Sequence, residues 1–307
     1  MNKYLLAFEY HYAGSMEENS AESAESLGQY LDLITEASKE TPPSPNHSPS
    51  DEPRTFWFRG QADVSWKLIP FIQREFKGLL SHPKQFHEKE RMYCNDFQHS
   101  ASVFLENKPD LDDFPAWLTL MQHYGLPTRL LDWSQSALFA LYFAIVNDTV
   151  LDDPEHKKQL PDGTVWLLDP LSLNTFAALE EPAYLYHMEH KNVRAVVRSA
   201  FRTTVDPGWE EHQKTIVACY ATLCDRRVAN QQSAFTVHST LKPLKDIATE
   251  WEESHPDRPL LQRIIIPGPA KYHILDELYM SGITHRTVFP DLEHVARDIR
   301  RYYGKMG

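Results

Sequence analysis

The chain opens polar and acidic, and its first regular apolar spacing is Leu27, Tyr30, Leu31 and Ile34, at i, i+3, i+4 and i+7. With Ser26 ahead of it and Gln29 three residues on, that spacing predicts a capped amphipathic helix. The repeated prolines of Thr41 to Pro53 forbid both helix and central strand, so this stretch reads as a surface loop. Aromatic and β-branched content over Thr55-Phe-Trp-Phe58 then predicts a strand that ends at Arg59-Gly60-Gln61. Pro83 to Leu105 reads as a polar helix, and Ala116 to Tyr124 as a second helix closed by Gly125.

A short strand at Leu130 and Leu131 leads through Asp132-Trp133-Ser134 into an apolar helix, Ala137 to Val146, with Ser134 or Asp132 as its cap. Thr164 to Leu168 has the continuous apolar run of a buried strand, stopped by Asp169-Pro170. Thr175 to Asp225 reads as mostly helical, including Val193 to Phe201. Phe235 to His238 and Arg263 to Ile266 read as strands, and Lys271 to Met280 as a helix that Gly282 ends. Thr287-Val-Phe289 resembles a last strand before a closing helix with Leu292, Val295 and Ile299 on one face. Strands and helices without strict alternation predict an α+β fold, a mixed and largely antiparallel sheet with flanking helices. Residues 1–53 form a polar arm with the amphipathic helix and the proline- and serine-rich loop, and residues 54–307 one large domain.

Charge and composition narrow the function. With 31 basic and 43 acidic residues in 307, the net charge is −12, which excludes a generically basic nucleic-acid coat but not a local basic groove. Cys94, Cys219 and Cys224 are too few and too irregular for a disulfide scaffold or a four-ligand zinc site, so a reducing cytoplasm is the expected location, with the nucleus left open. Glu9 and the neighbouring tyrosines interrupt any secretory signal. The apolar run from Ala137 to Val146 is about half of the roughly 20 residues that a membrane span needs.

Two units carry chemistry. Gln122-His-Tyr-Gly-Leu-Pro-Thr-Arg-Leu-Leu-Asp-Trp-Ser134 gathers an imidazole, a phenol, a guanidinium, a carboxylate and hydroxyls around a glycine and a proline. An internal Arg129–Asp132 ion pair and a core His123 are the plainer readings of its members taken singly. In Trp57-Phe-Arg-Gly-Gln-Ala-Asp63, an arginine ends an aromatic strand beside a glycine that lets another backbone or a ligand approach, which suits bidentate binding of phosphate or carboxylate. A structural Arg59 stacked on Trp57 or Trp66 fits that unit equally.

Trp57-Phe-Arg-Gly-Gln61, His123 to Ser134 and Ala140-Leu-Tyr-Phe-Ala144 together resemble the signature of the FRG-domain family, named for its Phe-Arg-Gly motif. The resemblance extends through Val165 to Pro170, Asn230 to Thr236 and Val288 to Leu292. The order of these motifs is similar to that of ADP-ribosyltransferases, which place an arginine at the end of one strand, a serine or threonine on a second strand before a helix, and a glutamate on a later strand. Arg59 matches the first position and Ser134 resembles the second. At the third this chain has Gln231 and Gln232, which can accept a hydrogen bond but cannot act as a base.

The resemblance implies NAD as substrate, cleavage of its nicotinamide glycosidic bond, and transfer of ADP-ribose to a macromolecular acceptor, nucleic acid or protein. It also implies an ADP-ribosyltransferase-like fold. Arg59, Gly60, Gln61, Thr128 and Arg129 would hold phosphate or ribose. Ser134, Tyr124 and Gln231 would position the nicotinamide ribose. Asp132 and His123, with Gln232, would replace the missing glutamate in charge stabilisation and proton transfer. A nucleotide-binding module without turnover, or an NAD glycohydrolase, are the alternatives.

The remaining motifs are weaker. His187 and His190 lack a third metal ligand, and no metal is expected. Glu277 lies within a helical pattern as a solvated face residue. Walker A and dinucleotide glycine patterns are absent. Arg202, Arg226 and Arg227 are candidates for lining a nucleic-acid channel, against the plainer reading of surface solvation.

Overall fold

The computed structural model describes residues 21–39, 55–147, 150, 158–178, 185–202, 215–221 and 232–304. In chain order these form β1 (Glu22–Ser23), α1 (Leu27–Lys39), β2 (Trp57–Gln61), α2 (Phe71–Glu75), α3 (Pro83–Ala101), α4 (Phe114–His123), β3 (Leu130–Ser134) and α5 (Ala137–Ile145). There follow β4 (Gly163–Leu168), α6 (Pro170–Phe176), β5 (Tyr186–His187), α7 (Lys191–Arg198), β6 (Ile216–Tyr220) and β7 (Ser233–His238). The chain then adds α8 (Leu244–Ser254), β8 (Leu261–Ile266), α9 (Lys271–Met280), α10 (His285–Val288) and α11 (Leu292–Gly304).

The strands make one mixed sheet in the order β1-β8-β4-β2-β3-β7-β6-β5, so the fold is α+β, an open sheet with flanking helices. Its interior pairings are antiparallel, and the short edge strands β1 and β5 join parallel to β8 and β6. Because successive strand residues point to opposite faces, β2 and β4 divide between two cores. Phe58, Val165 and Leu167 pack under α5, α9 and α1. Trp57, Trp166 and Leu168 pack on the other face with Leu244, Ile247 and Trp251 of α8.

Helix α1 is integral to this unit. Tyr30 is fully buried and its hydroxyl donates to the Ala137 carbonyl at 2.9 Å. The carboxylate of Glu277, expected to be solvated, accepts from the Leu27 amide at 2.7 Å and so caps the start of α1. Gly125 and Gly282 close α4 and α9 in left-handed conformations, with φ of 78° and 85°.

Several expectations change. The cap of α5 is Ser136, whose Oγ accepts from the Phe139 amide at 3.4 Å, and neither Ser134 nor Asp132 takes that role. Thr287 to Phe289 is no strand: His285 to Val288 make a helical turn, closed by a Thr284–Thr287 capping box that local sequence chemistry favours over extension. The region read as mostly helical contains β5 and β6, and β6 is a buried strand whose ladder with β7 overrides weak local periodicity. Helix α3 ends at Ala101, short of Leu105. Of the Thr41–Pro53 loop, none lies within the described residues. Among the described residues no helix is long and apolar enough to cross a membrane.

Candidate functional site

Helix α5 explains Phe-Arg-Gly and Ala-Leu-Tyr-Phe-Ala together. A Cβ built on Gly60 would stand 1.9 Å from the Ala140 carbonyl oxygen and 2.5 Å from the Ala144 amide nitrogen, and one on Gly163 would stand 2.2 Å from the Ala144 carbonyl oxygen. The small residues of α5 therefore lie directly on the backbones of β2 and β4. Of the two approaches expected at Gly60, another backbone or a ligand, the structure shows the backbone of a helix, and that contact fixes the strand carrying Arg59.

On the opposite face β2 pairs with β4 along five rungs but with β3 only at Phe58–Ser134. Beyond that rung the Arg59 guanidinium bridges the two strands: Nη1 donates to the Asp132 carbonyl at 2.7 Å and lies 3.8 Å from Asp132 Oδ2. The Asp132 carboxylate is half-exposed. A directed chain orients it, in which the Leu130 amide donates to Thr128 Oγ1, that hydroxyl donates to Gln122 Oε1, and Gln122 Nε2 donates to Asp132 Oδ2 at 2.8 Å.

A second guanidinium lies within electrostatic reach of this carboxylate. Helix α2 is tied down by the Ile72 amide to the Thr128 carbonyl and by Gln73 Nε2 to the Thr240 carbonyl. Arg74 on it has its pKa lowered to about 10, by burial and by repulsion from Arg59, with Asp132 opposing. Burial likewise lowers that of Arg59 against the pull of Asp132. Two cations thus share one carboxylate, an arrangement that favours a further anion.

Beneath them, Trp133 Nε1 donates to Thr236 Oγ1 at 3.0 Å, and Thr236 Oγ1 contacts His238 Nε2 at 2.9 Å. Burial, with Arg59 and Arg129 nearby, lowers the His238 pKa to about 3, so the ring is neutral. Among the described residues, the enclosed Trp57 Nε1, Arg59 Nε and His238 Nδ1 have no hydrogen-bond partner.

The other expected site residues separate into groups. Ser134 lies opposite Phe58, the neighbour of Arg59, and across from Ser233, the residue after Gln232, so the backbones of Arg59, Ser134 and Gln232 fall within about one rung of each other, with the side chains of Ser134 and Arg59 directed to opposite faces. The Ser134 Oγ accepts from the Ser136 amide at 3.0 Å. Gln232 is exposed with φ 48°, and its carbonyl accepts from the Gln135 amide. Tyr124 is exposed, and the His123 ring meets its edge 5.0 Å away. Gln231, like Arg226, Arg227 and Cys224, lies outside the described residues.

Gln61 and Thr128 are committed within the protein. Gln61 Oε1 accepts from Trp166 Nε1 at 2.7 Å, and Thr128 belongs to the chain that orients Gln122. Arg129 differs most from expectation. It pairs with neither Asp132 nor open solvent but lies 2 % exposed, its Nε and Nη2 on the two oxygens of Glu90 at 2.8 and 2.6 Å, and its Nη1 on Ser199 Oγ at 2.6 Å. Burial alone would raise the Glu90 pKa, but the charge and hydrogen bonds of Arg129, with His87 adding, bring it down to about 2.

Sequence reasoning assigned no role to Gln122, Arg74 or His238, and gave Trp57 only that of a stacking partner for Arg59. The alternation Thr236, His238 on one strand face was legible, whereas nothing in the spacing of Arg74 ties it to Arg59. His190 Nδ1 accepts from the Asn192 amide at the start of α7, and no group of three metal-ligating side chains occurs among the described residues. Cys94 and Cys219 are buried free thiols whose pKa burial pushes up, as expected of ordinary thiols.

Comparison with curated proteins and with solved structures yields no match. Residues 54–153, which carry Arg59, Gly60, Arg74, Gln122, Thr128, Asp132 and Ser134, match the family model of the FRG domain. The strands β4 to β8 follow the matched segment, which is therefore one part of a larger α+β unit.

Proposed function

We propose that the chain cleaves NAD and transfers ADP-ribose to a macromolecular acceptor. The observation that carries this reading is the place where the β2–β3 ladder opens. There, the backbones of Arg59 on β2, Ser134 on β3 and Gln232 just ahead of β7 lie within about one rung of each other, beside the oriented carboxylate of Asp132. In this reading Arg59 and Arg74 hold the pyrophosphate, and the enclosed, unpartnered Arg59 Nε is a donor suited to such an anion. Ser134, Tyr124 and the amide oxygen of Gln232 orient the ribose.

The bond between the ribose C1′ and the nicotinamide nitrogen breaks with its electron pair going to that nitrogen, which neutralises the pyridinium. Asp132 offsets the positive charge left on the sugar. A nucleophilic oxygen or nitrogen of the acceptor bonds C1′ and gives up its proton to Asp132 or His123.

A second reading is favoured by Gln232 itself. With an amide in place of a carboxylate, the same cluster serves as a nucleotide- or phosphate-binding module without turnover. Purified protein incubated with labelled NAD, alone and with DNA, RNA or protein, separates the readings. Nicotinamide release with transfer of label supports the transferase, and release without transfer marks a glycohydrolase. Binding lost in Arg59→Ala with no release supports the module. Asp132→Asn and Gln232→Ala remove turnover with smaller losses of binding; retained turnover in both overturns the assignment of roles.

A further inference from the structure

On the site face of the sheet, Arg59 of β2 stands opposite Trp166 of β4, and Trp166 stands opposite Arg263 of β8, so the three share one rung and one face. The exposed Lys245, in the first turn of α8, places Nζ 4.6 Å from the Trp166 ring centroid, and the Arg263 guanidinium lies 5.8 Å from it. Neither Lys245 nor Arg263 makes an ion pair with a carboxylate among the described residues, although acids elsewhere do pair with Lys242 and Arg258. The Lys245 pKa is lowered by burial and then by Arg263, as expected for two cations held together.

Two pairs of like charges, Arg59 with the Arg74 that repels it and Lys245 with Arg263 over Trp166, therefore occur in a chain whose net charge is −12. Holding like charges together is unfavourable unless anions complete the arrangement. The strands bearing Arg59 and Arg263 are two apart, about 10 Å. That is farther than the two phosphorus atoms of a single pyrophosphate, so the second pair calls for a second anionic group.

We infer that this cationic row binds the phosphodiester backbone of a single-stranded nucleic acid, which passes from Lys245 and Arg263 toward Arg59. Protein partners need an apolar anchor at the centre of their interface, and the aromatic residue between these cations, Trp166, is buried beneath them. Phosphate contacts need only accessible cations, and guanidinium planes also stack on unpaired bases. As a statement about the acceptor of ADP-ribose, the inference rests on the transfer reading; as a statement about binding, it stands apart from it.

The test is fluorescence anisotropy of a labelled 15-nucleotide single strand with the full chain, across a series of salt concentrations. Wild-type protein binds with an affinity that falls linearly in log–log form, and Lys245→Ala/Arg263→Ala makes the slope shallower by about 1.4, two phosphates at roughly 0.7 each. Lys245→Glu alone, at an exposed position, weakens binding further than Lys245→Ala and guards against a folding defect. Both variants release nicotinamide from NAD without oligonucleotide at the wild-type rate. Wild-type protein that fails to bind at low salt, variants that keep the full slope, or displacement of the strand by polyglutamate of matched charge at equal potency each overturn the inference. None of these outcomes bears on NAD cleavage, whose absence is read separately.

Discussion

The glycine of Phe-Arg-Gly gives the sharpest test of how this fold is put together. In Gly60→Ala the new methyl would lie 1.9 Å from the Ala140 carbonyl oxygen, 2.5 Å from the Ala144 nitrogen and 2.9 Å from the Phe143 carbonyl carbon, all of them helix backbone. An ordinary carbon–oxygen contact is about 3.3–3.6 Å, so α5 must retreat by roughly 1.5 Å at that point. No side chain can swing aside to relieve it. Six of the nine residues of α5 are buried, and the same helix presses on Gly163.

Overpacking in a filled core costs about 1–3 kcal/mol even when neighbours adjust, and a displaced helix places Gly60→Ala at about 3 kcal/mol or more. For a chain of this size that is a fall in melting temperature of about 5 °C or more. Differential scanning calorimetry reads it, with Gly28→Ala as the control. Gly28 lies in α1, where an added methyl makes only ordinary contact with Ser26, and the exchange should stabilise by roughly 0.5–1 kcal/mol. Melting of Gly60→Ala within about 2 °C of wild type, with nucleotide affinity lost, would refute the packing argument and return Gly60 to the ligand.

Arg129→Ala leaves the Glu90 carboxylate buried and unpaired, and should destabilise by about 3–5 kcal/mol, measured by urea unfolding at neutral pH. Because the folded pKa of Glu90 is depressed to about 2, its contribution is complete above the ordinary carboxylate value. It is lost as pH falls from there toward 2, and Glu90→Gln should remove that portion of the acid dependence. His238 also loses stability toward acid, by a different route: the folded ring stays neutral down to about pH 3 while the unfolded ring protonates near 6.5. Between those values wild type should lose about 1.4 kcal/mol per pH unit, and His238→Asn should flatten the slope; an unchanged slope refutes the buried neutral imidazole.

The periodicity of Leu27 to Ile34, the aromatic run before Arg59, the apolar run of β4 and the glycines that end α4 and α9 were legible because each element is decided by its own residues. Local pattern failed at Ile216 to Tyr220, a strand because β7 lies beside it, and at Thr287, where apolar content suggested a strand but the hydroxyl caps its own helical turn. The same division runs through the site. Residue types named Arg59 and Asp132 as chemistry, since a guanidinium at a strand end and a carboxylate before an apolar helix are costly without a purpose or a partner. Which partner each one has was beyond the sequence. Glu90, 39 residues away, claims Arg129, and Asp132 is left to Gln122 and Arg59. Gly60 lies against a helix backbone, and Arg74 is carried by α2, whose position depends on the Thr128 and Thr240 carbonyls. A side chain's charge is written in the sequence, but its closest opposite charge is set by which elements pack together, and that is a property of the folded chain alone.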